Sequence, residues 1–329
     1  MIDTDLVLRN KYKIEGLQLS GTLKESIDTI AYSMDATILK NYDLANNIGL
    51  SKGDAIEFWD YPTSDSKNKK RLFCGAIWTS NGSDKTRRIE LTCKERTRYL
   101  EESEDELLLY EGQTATQRIT QICNDWGIPI GSFEDTGVGL AKDRKKSGLY
   151  TMMWGFLKET AQKGGELYNF RFDDALNIIK LGSNSTIYKL DDIIDEPSRK
   201  DTLDGAITQV KVLGENKSKD DNPELSPVIG VYKGDYTDEY GTIQKIVQDS
   251  KITDYSQGSE KANSMINYGS DEWTFKCVKD ILDIRAGDKV SLSGNLYYVT
   301  EITHKLGDQG MVIKAMENQE LIRSKFYAK

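Results

Sequence analysis

The sequence predicts a mainly β chain with α+β insertions: two small β-barrels in one polypeptide and a small α/β domain between them. Three observations carry that prediction. A Gly-Asp turn followed by three strand-like runs occurs twice, at Gly53-Asp54 and again at Gly287-Asp288. The first ~105 residues alternate apolar and polar side chains with period 2, the mark of half-buried strands. From Glu111 the period changes to that of a helix, and it reverts to strands after Tyr188.

The first barrel is assigned to residues 1–105, with strands over residues 12–20, 29–38, 54–61, 72–80 and 88–99. In the last of these, Ile89, Leu91 and Cys93 alternate with Arg88, Glu90, Thr92 and Lys94. Asn81-Gly82 between two runs predicts a hairpin turn. Five strands in about 100 residues favour a barrel, because closure removes exposed edges. The first copy of the repeat carries an extra polar stretch at residues 61–70.

The inserted α/β domain is assigned to residues 106–185. Thr114-Ala115-Thr116-Gln117 reads as a capping box. Ala115, Ile119, Ile122 and Trp126 then share one helical face, with Gly127 and Pro129 as the stop. A second helix over residues 151–163 turns Met153, Trp154, Leu157 and Ala161 inward and ends at Gly164-Gly165. Residues 168–172 and 176–181 form a hairpin around Asp173-Asp174.

The second barrel, residues 186–329, returns to strands after Tyr188, with 207–212 the clearest. It is interrupted by a polar loop at 213–227 (core GENKSKDDNPELSP), read as mobile. Short helices between 240 and 270, near 242–248 and 259–268, follow the loop. Strands resume at Trp273.

Length and charge limit the function. A chain of 329 residues exceeds what one core normally holds, so two or three domains are expected. The formal charge of −9 argues against phosphate neutralisation as a binding mode, and solubility is its plainest reading. No apolar run approaches the ~20 residues of a membrane span. The first residues, Met1-Ile2-Asp3-Thr4-Asp5, lack a secretory signal, so synthesis and folding in the cytoplasm are expected. Cys74, Cys93, Cys123 and Cys277 are widely spaced and fit buried free thiols. A cross-strand Cys74–Cys93 bridge is the geometric alternative and the less favoured one.

No residue is assigned a catalytic, cofactor-binding or metal-binding role. His304, the only histidine, stands at a strand end and reads as a structural residue. Gly137-Val138-Gly139 with Lys142, Arg144, Lys145 and Lys146 lacks the Gly-Lys-Ser/Thr ending of a phosphate loop and reads as a flexible basic loop before a helix. Glu101-Glu102, Asp173-Asp174 and Asp191-Asp192 are acidic neighbours of the kind that paired-carboxylate glycoside hydrolysis uses. Among 53 acidic residues such neighbours are expected by chance. Residues 101–106 read as a solvated linker face, and Asp173-Asp174 as a turn.

In order, Leu19-Ser20-Gly21, Asp28-Thr29-Ile30-Ala31-Tyr32-Ser33-Met34, Gly53-Asp54, Leu72-Phe73-Cys74-Gly75 and Leu91-Thr92-Cys93-Lys94-Glu95-Arg96-Thr97-Arg98-Tyr99-Leu100 resemble the XkdQ/YqbQ branch of baseplate hubs in contractile phage tails and phage-tail-like bacteriocins. Ala286-Gly287-Asp288-Lys289-Val290 and Tyr298-Val299-Thr300-Glu301-Ile302-Thr303-His304 extend the likeness to the C-terminal part. The first half is also similar to late control protein D and to the hub portion of type VI secretion spike proteins.

The resemblance implies tube-type barrels and a non-enzymatic homotrimer, in which six barrels form a pseudo-sixfold ring between the hexameric tail tube and a trimeric spike. It implies contact with other baseplate proteins, no cofactor, no membrane insertion, and DNA at most passing through the lumen. The location would be a virion or tail-like particle, assembled in the bacterial cytoplasm. Two rivals remain: a tail-tip cell-wall glycosidase using paired carboxylates, and a carbohydrate- or cell-surface-binding β-module drawing on 17 tyrosines.

Overall fold

The structure, a computed structural model, describes residues 3–14, 18–40, 49–61, 70–216, 224–250, 252–306 and 310–328. The chain is mainly β. Its first part contains β1 (Asp3–Leu8), β2 (Tyr12–Ile14), β3 (Gln18–Ser26), β4 (Ser33–Leu39), β5 (Ala55–Tyr61), β6 (Lys70–Ser83) and β7 (Arg88–Glu95). The middle holds α1 (Arg98–Glu102), β8 (Glu104–Leu109), α2 (Ala115–Asp125), β9 (Ile130–Phe133), β10 (Asp143–Gly148), α3 (Leu149–Gln162), β11 (Tyr168–Phe172) and β12 (Leu176–Lys180).

The last part begins with β13 (Tyr188–Lys189), β14 (Ile194–Thr202), β15 (Gln209–Leu213), β16 (Val228–Lys233), α4 (Thr237–Tyr240), β17 (Gln244–Gln248) and α5 (Tyr255–Asn263). It finishes with β18 (Ser270–Cys277), β19 (Lys289–Leu292), β20 (Asn295–Leu306), β21 (Gly310–Met316), α6 (Gln319–Ile322) and a π-helical turn, Arg323–Tyr327.

One 13-stranded sheet unites the first and last parts, in the order β14-β18-β21-β20-β3-β4-β7-β6-β5-β1-β2, with β19 on β20 and β13 on β19. Among the described residues no ladder closes either half on itself, which departs from the expected pair of closed barrels. Closing the first half requires the outer edge of β3, and β20 occupies that edge. Each half nevertheless curls around its own core. Leu6, Leu23, Met34, Phe58, Phe73 and Leu91 meet in the first, and Phe275, Val290, Val299, Ile302 and Ile313 in the second. Each such side chain contributes about 1.5–3 kcal/mol by leaving water.

The middle unit packs as its sequence dictates. Thr114 accepts from the Gln117 N–H while the Gln117 side chain accepts from the Thr114 N–H, a complete capping box. Ala115, Ile119 and Ile122 face Met152, Met153, Phe156 and Leu157 of α3. Trp126 does not join them: it is the C-cap, 43% exposed, and its Nε1 donates to Asp105. Gly127, at φ +64°, ends the helix as expected. Asp174, at φ +64°, turns the β11–β12 hairpin. The C-terminus returns here, with the Tyr327 hydroxyl donating to the Tyr168 carbonyl.

Several local expectations are corrected. The run 12–20 divides into β2 and β3, and β3 continues through Ser26. The strand expected at 88–99 stops at Glu95, and residues 98–102 are helical. Asn81-Gly82 lies inside β6; the reversal falls at 84–87, where Arg87 takes φ +51°. Residues 244–248 form a strand, not a helix, because they pair in parallel with β15. The helix expected at 259–268 is α5, capped by Asp254.

With β16 and α5, β15 and β17 enclose a small separate core around Val210, Val212, Tyr232 and Ala262. Of the polar loop, residues 217–223 lie outside the described residues, as do residues 62–69 of the extra stretch in the first repeat. The flanks of the polar loop are joined by a Gly214 N–H to Pro227 carbonyl bond.

Candidate functional site

The region that organises the molecule is the junction where the two repeats meet. Ser26 to Gly21 of β3 run antiparallel to Glu301 to Leu306 of β20, six pairs in register. Leu23 and Glu25 are buried, as are Ile302, His304 and Leu306. Leu306 belongs to the second repeat yet packs in the first core. Lys24 and Lys314 flank Glu301 at 3.4 and 3.2 Å.

The Gly-Asp turns that mark each repeat are built alike. In the first, the Asp54 carboxylate accepts from the Ser51 N–H at 2.8 Å; in the second, Asp288 accepts from the Arg285 N–H at 2.9 Å. Gly53 N–H donates to the Ile77 carbonyl, and Gly287 N–H to that of Val299, both at 2.8 Å. Ile77 N–H returns a bond to Asp54, and Val299 N–H one to Asp288. Each aspartate also holds an arginine at 2.8 Å, Arg9 in the first and Arg171 in the second. The hydrogen bond from Arg9 keeps the Asp54 carboxyl below its ordinary range. Both glycines sit at positive φ, +87° and +92°, where a Cβ is strained.

Around the second turn the charges are buried and paired. Arg285 Nε and Nη2 donate to both oxygens of Glu25 at 2.8 and 2.7 Å, Nη1 donates to Asp173 at 3.1 Å, and the guanidinium lies 4.4 Å from the Tyr32 ring centroid. Ala286 N–H adds a third donor to Glu25 at 2.9 Å. Burial alone would raise the Glu25 carboxyl, but Arg285, Arg171 and the Ala286 N–H hold it below its usual range. Glu95 lies nearby and accepts from the Tyr32 N–H at 3.0 Å; burial pushes its carboxyl well above the usual range despite Arg285.

The residues singled out by sequence have structural partners. His304 is fully buried in β20, with Nδ1 2.6 Å from Asp280 and Nε2 3.1 Å from the Ile284 carbonyl. Glu101 and Glu102 close α1 as partners of Arg98, rather than forming a linker. Asp191 accepts from Ser293 N–H at the β19–β20 turn. Asp173 and Asp174 form the expected turn, and they reach both repeats: Asp173 holds Arg285 and Asp174 holds Arg71.

Gly137 to Gly139 form a loop, but Arg144, Lys145 and Lys146 lie in strand β10, where Arg144 pairs with Glu106 at 2.8 Å. Cys93, Cys123 and Cys277 are buried, and burial pushes their thiols up to about 12, 12 and 11. Cys93 lies opposite Ile77, so Cys74 is out of register for a bridge. Among the described residues no group of His, Cys, Asp or Glu is arranged to hold a metal. A cleft of about 330 Å3 beside β3 is lined by mixed charges, including Lys24, Lys94, Arg98, Asp28, Glu101 and Glu301. It lacks the apolar walls of a small-molecule site.

Sequence reasoning passed over Arg285 and Glu25, which lie 260 positions apart. The one available signal was an arginine two residues before a Gly-Asp pair.

The family sequence model described as YQBQ-like matches residues 22–314. No curated protein matches the chain. Among solved structures, the fold is similar to the 43 kDa tail protein of prophage MuSo2 from Shewanella oneidensis (TM-score 0.69, 12% identity, 96% of this chain and 98% of that one). It is similar to a tail protein from Neisseria meningitidis (TM-score 0.65, 13% identity, 96% of each chain). It is also similar to E. coli c3393, described as a type VI secretion component resembling T4 tail proteins gp27 and gp5 (TM-score 0.55, 11% identity, 96% of this chain and 77% of that one).

Proposed function

The chain belongs to the YQBQ-like family, and from that premise we propose that it is the structural hub of a contractile tail or tail-like particle. Three copies form a ring of six β modules with pseudo-sixfold symmetry, seated between a hexameric tail tube and a central trimeric spike. The protein acts without catalysis. Its modules are the tube-type barrels 1–105 and 186–329, with the α/β domain 106–185 between them. It resides in the tail baseplate, where its partners are further copies of itself, the tube protein, the spike and neighbouring baseplate proteins.

The observation that carries this reading is the duplicated turn-and-strand unit, joined to itself in one sheet at the β3–β20 junction. Two equivalent modules per chain, times three chains, present six similar faces on one side and three identical ones on the other. That arithmetic resolves the mismatch between a sixfold tube and a threefold spike. The tail proteins of similar fold support the same setting.

The test is the mass of the purified protein by light scattering or native mass spectrometry, alone and with tube or spike protein. Three times the chain mass is expected. A strictly monomeric species in every setting overturns the proposal.

A further inference from the structure

One lysine is held among like charges in the cleft beside β3. Lys24 on β3 lies opposite Ser33 on β4, and Ser33 lies opposite Lys94 on β7. The row continues to Thr303 on β20 at one end and to Ala76 on β6 at the other, so no carboxylate stands in it. Two strand spacings put the lysine Cα atoms about 10 Å apart, across a small, buried serine. Arg98, at the start of α1, lines the same cleft.

The three cations are unequally partnered. Lys24 Nζ lies 3.4 Å from Glu301, and Arg98 holds Glu101 and Glu102. Among the described residues Lys94 Nζ has neither an ion pair nor a hydrogen bond. Burial, with the charges of Arg98 and Lys24, pushes its ammonium below the ordinary lysine range, and Asp35 acts the other way. Asp35 is itself engaged, accepting from the Thr92 hydroxyl at 2.8 Å. A lysine desolvated beside other cations is an activated nucleophile. Arg98 supplies a second observation. Its Nε is shielded from water and finds no acceptor among the described residues, and buried donors of that kind call for one. Both deficits are met if Lys94 changes from a cation to an anion.

We propose that Lys94 is a carboxylation site, whose neutral amine combines with dissolved carbon dioxide to form a carbamate. The nitrogen lone pair attacks the carbon of carbon dioxide. An N–C bond forms as one C–O π bond opens onto oxygen, and the nitrogen proton leaves to the buffer. The step needs no oxidant or reductant. The product sets a carboxylate between the Lys24 ammonium and the Arg98 guanidinium, turning two repulsions into two attractions. It also brings to the cluster the acceptor that Arg98 lacks. The cleft, about 330 Å3, has room for the added group, and Lys94 is only half-buried, so the gas reaches it from solvent. Lys24 belongs to the β3–β20 junction and Arg98 to α1, so the modified side chain ties the sheet to the middle unit. The site goes beyond the hub reading and does not depend on it.

The test uses the full-length protein in isotope-labelled bicarbonate, with sodium chloride of equal ionic strength as the blank. Carbamates are trapped as ethyl esters with triethyloxonium and located by peptide mass spectrometry. Lys94 is expected to carry at least tenfold more carbamate than any other lysine. Lys94→Arg should erase that signal. Lys24→Gln should lower it several-fold, because losing that cation both favours the Lys94 ammonium and deprives the carbamate of a partner. Carbamate at no lysine, or spread evenly over the exposed ones, overturns the proposal. Labelling at Lys94 that Lys24→Gln leaves unchanged overturns the part given to the flanking cations.

Discussion

Replacing Arg285 with Met should produce a stability loss that shrinks as the pH falls. The guanidinium supplies two of the three donors to a Glu25 that is 6% exposed. Methionine fills much of the volume but leaves the carboxylate buried beside a single N–H. Removing one partner of a buried pair costs about 3–5 kcal/mol. The alternative is to protonate Glu25, which from an ordinary value near 4.3 costs at least ~3.7 kcal/mol at pH 7 but only ~1 kcal/mol at pH 5.

The wild type has the opposite dependence: its depressed Glu25 contributes stability above the ordinary carboxyl range and loses it as the pH falls through the folded value. Urea titrations at pH 7 and pH 5, followed by tryptophan fluorescence, should therefore give a penalty of about 3–4 kcal/mol that falls to roughly half or less. The double variant Glu25→Gln/Arg285→Met should recover much of the loss at pH 7, since no charge is left unpaired. A penalty below about 1 kcal/mol at pH 7, or one independent of pH, would mean that Glu25 is solvated and the pair does not secure the junction.

Leu91→Asp puts a charge among the side chains of the first core, where Leu91 is 2% exposed, and should cost more than about 4 kcal/mol and abolish the near-ultraviolet circular dichroism of that module; unchanged melting refutes the face assignment. Gly53→Ala should cost about 1–2 kcal/mol from positive φ alone, since among the described residues beyond its chain neighbours no atom lies within 4 Å of the new Cβ. Gly287→Ala should cost measurably more in urea midpoint, because its Cβ falls 2.7 Å from the buried Asn169 amide; equal losses refute the close approach. Glu95→Gln keeps an acceptor for the Tyr32 N–H and removes a charge that burial disfavours. Because the Glu95 carboxyl is raised, wild-type stability falls as the pH climbs from the ordinary carboxyl range through the raised value. The variant should be at least as stable at pH 7 and lose that slope, and a less stable variant counts against a buried, strained Glu95.

Local chemistry explains what the sequence disclosed. Thr114 and Gln117 find each other within one turn, and Met153, Trp154, Leu157 and Ala161 share a face by helical period alone. The Gly-Asp repeat was legible because only glycine sits easily at φ near +90°. Contacts made at long range were hidden. Residues 22–26 offer a single apolar side chain, Leu23, and are held as a strand between the nearby β4 and the sequence-distant β20. Ile243, Ile246 and Val247 have helical spacing, yet parallel pairing with β15 makes residues 244–248 extended. Asn81-Gly82 favours a tight turn, but the longer β6–β7 ladder carries both residues inside a strand. Glu25 and Arg285 are ordinary surface types until the fold buries them together.

Two bodies joined along one strand ladder keep a rotational freedom about that line, as two boards do on a hinge. The Asp173-Asp174 turn opposes it, because it holds Arg285 beside the second repeat and Arg71 in the first. The within-chain junction therefore has a second line of contact beside its ladder. A twist applied to one repeat is then passed to the other through side chains as well as through the shared ladder.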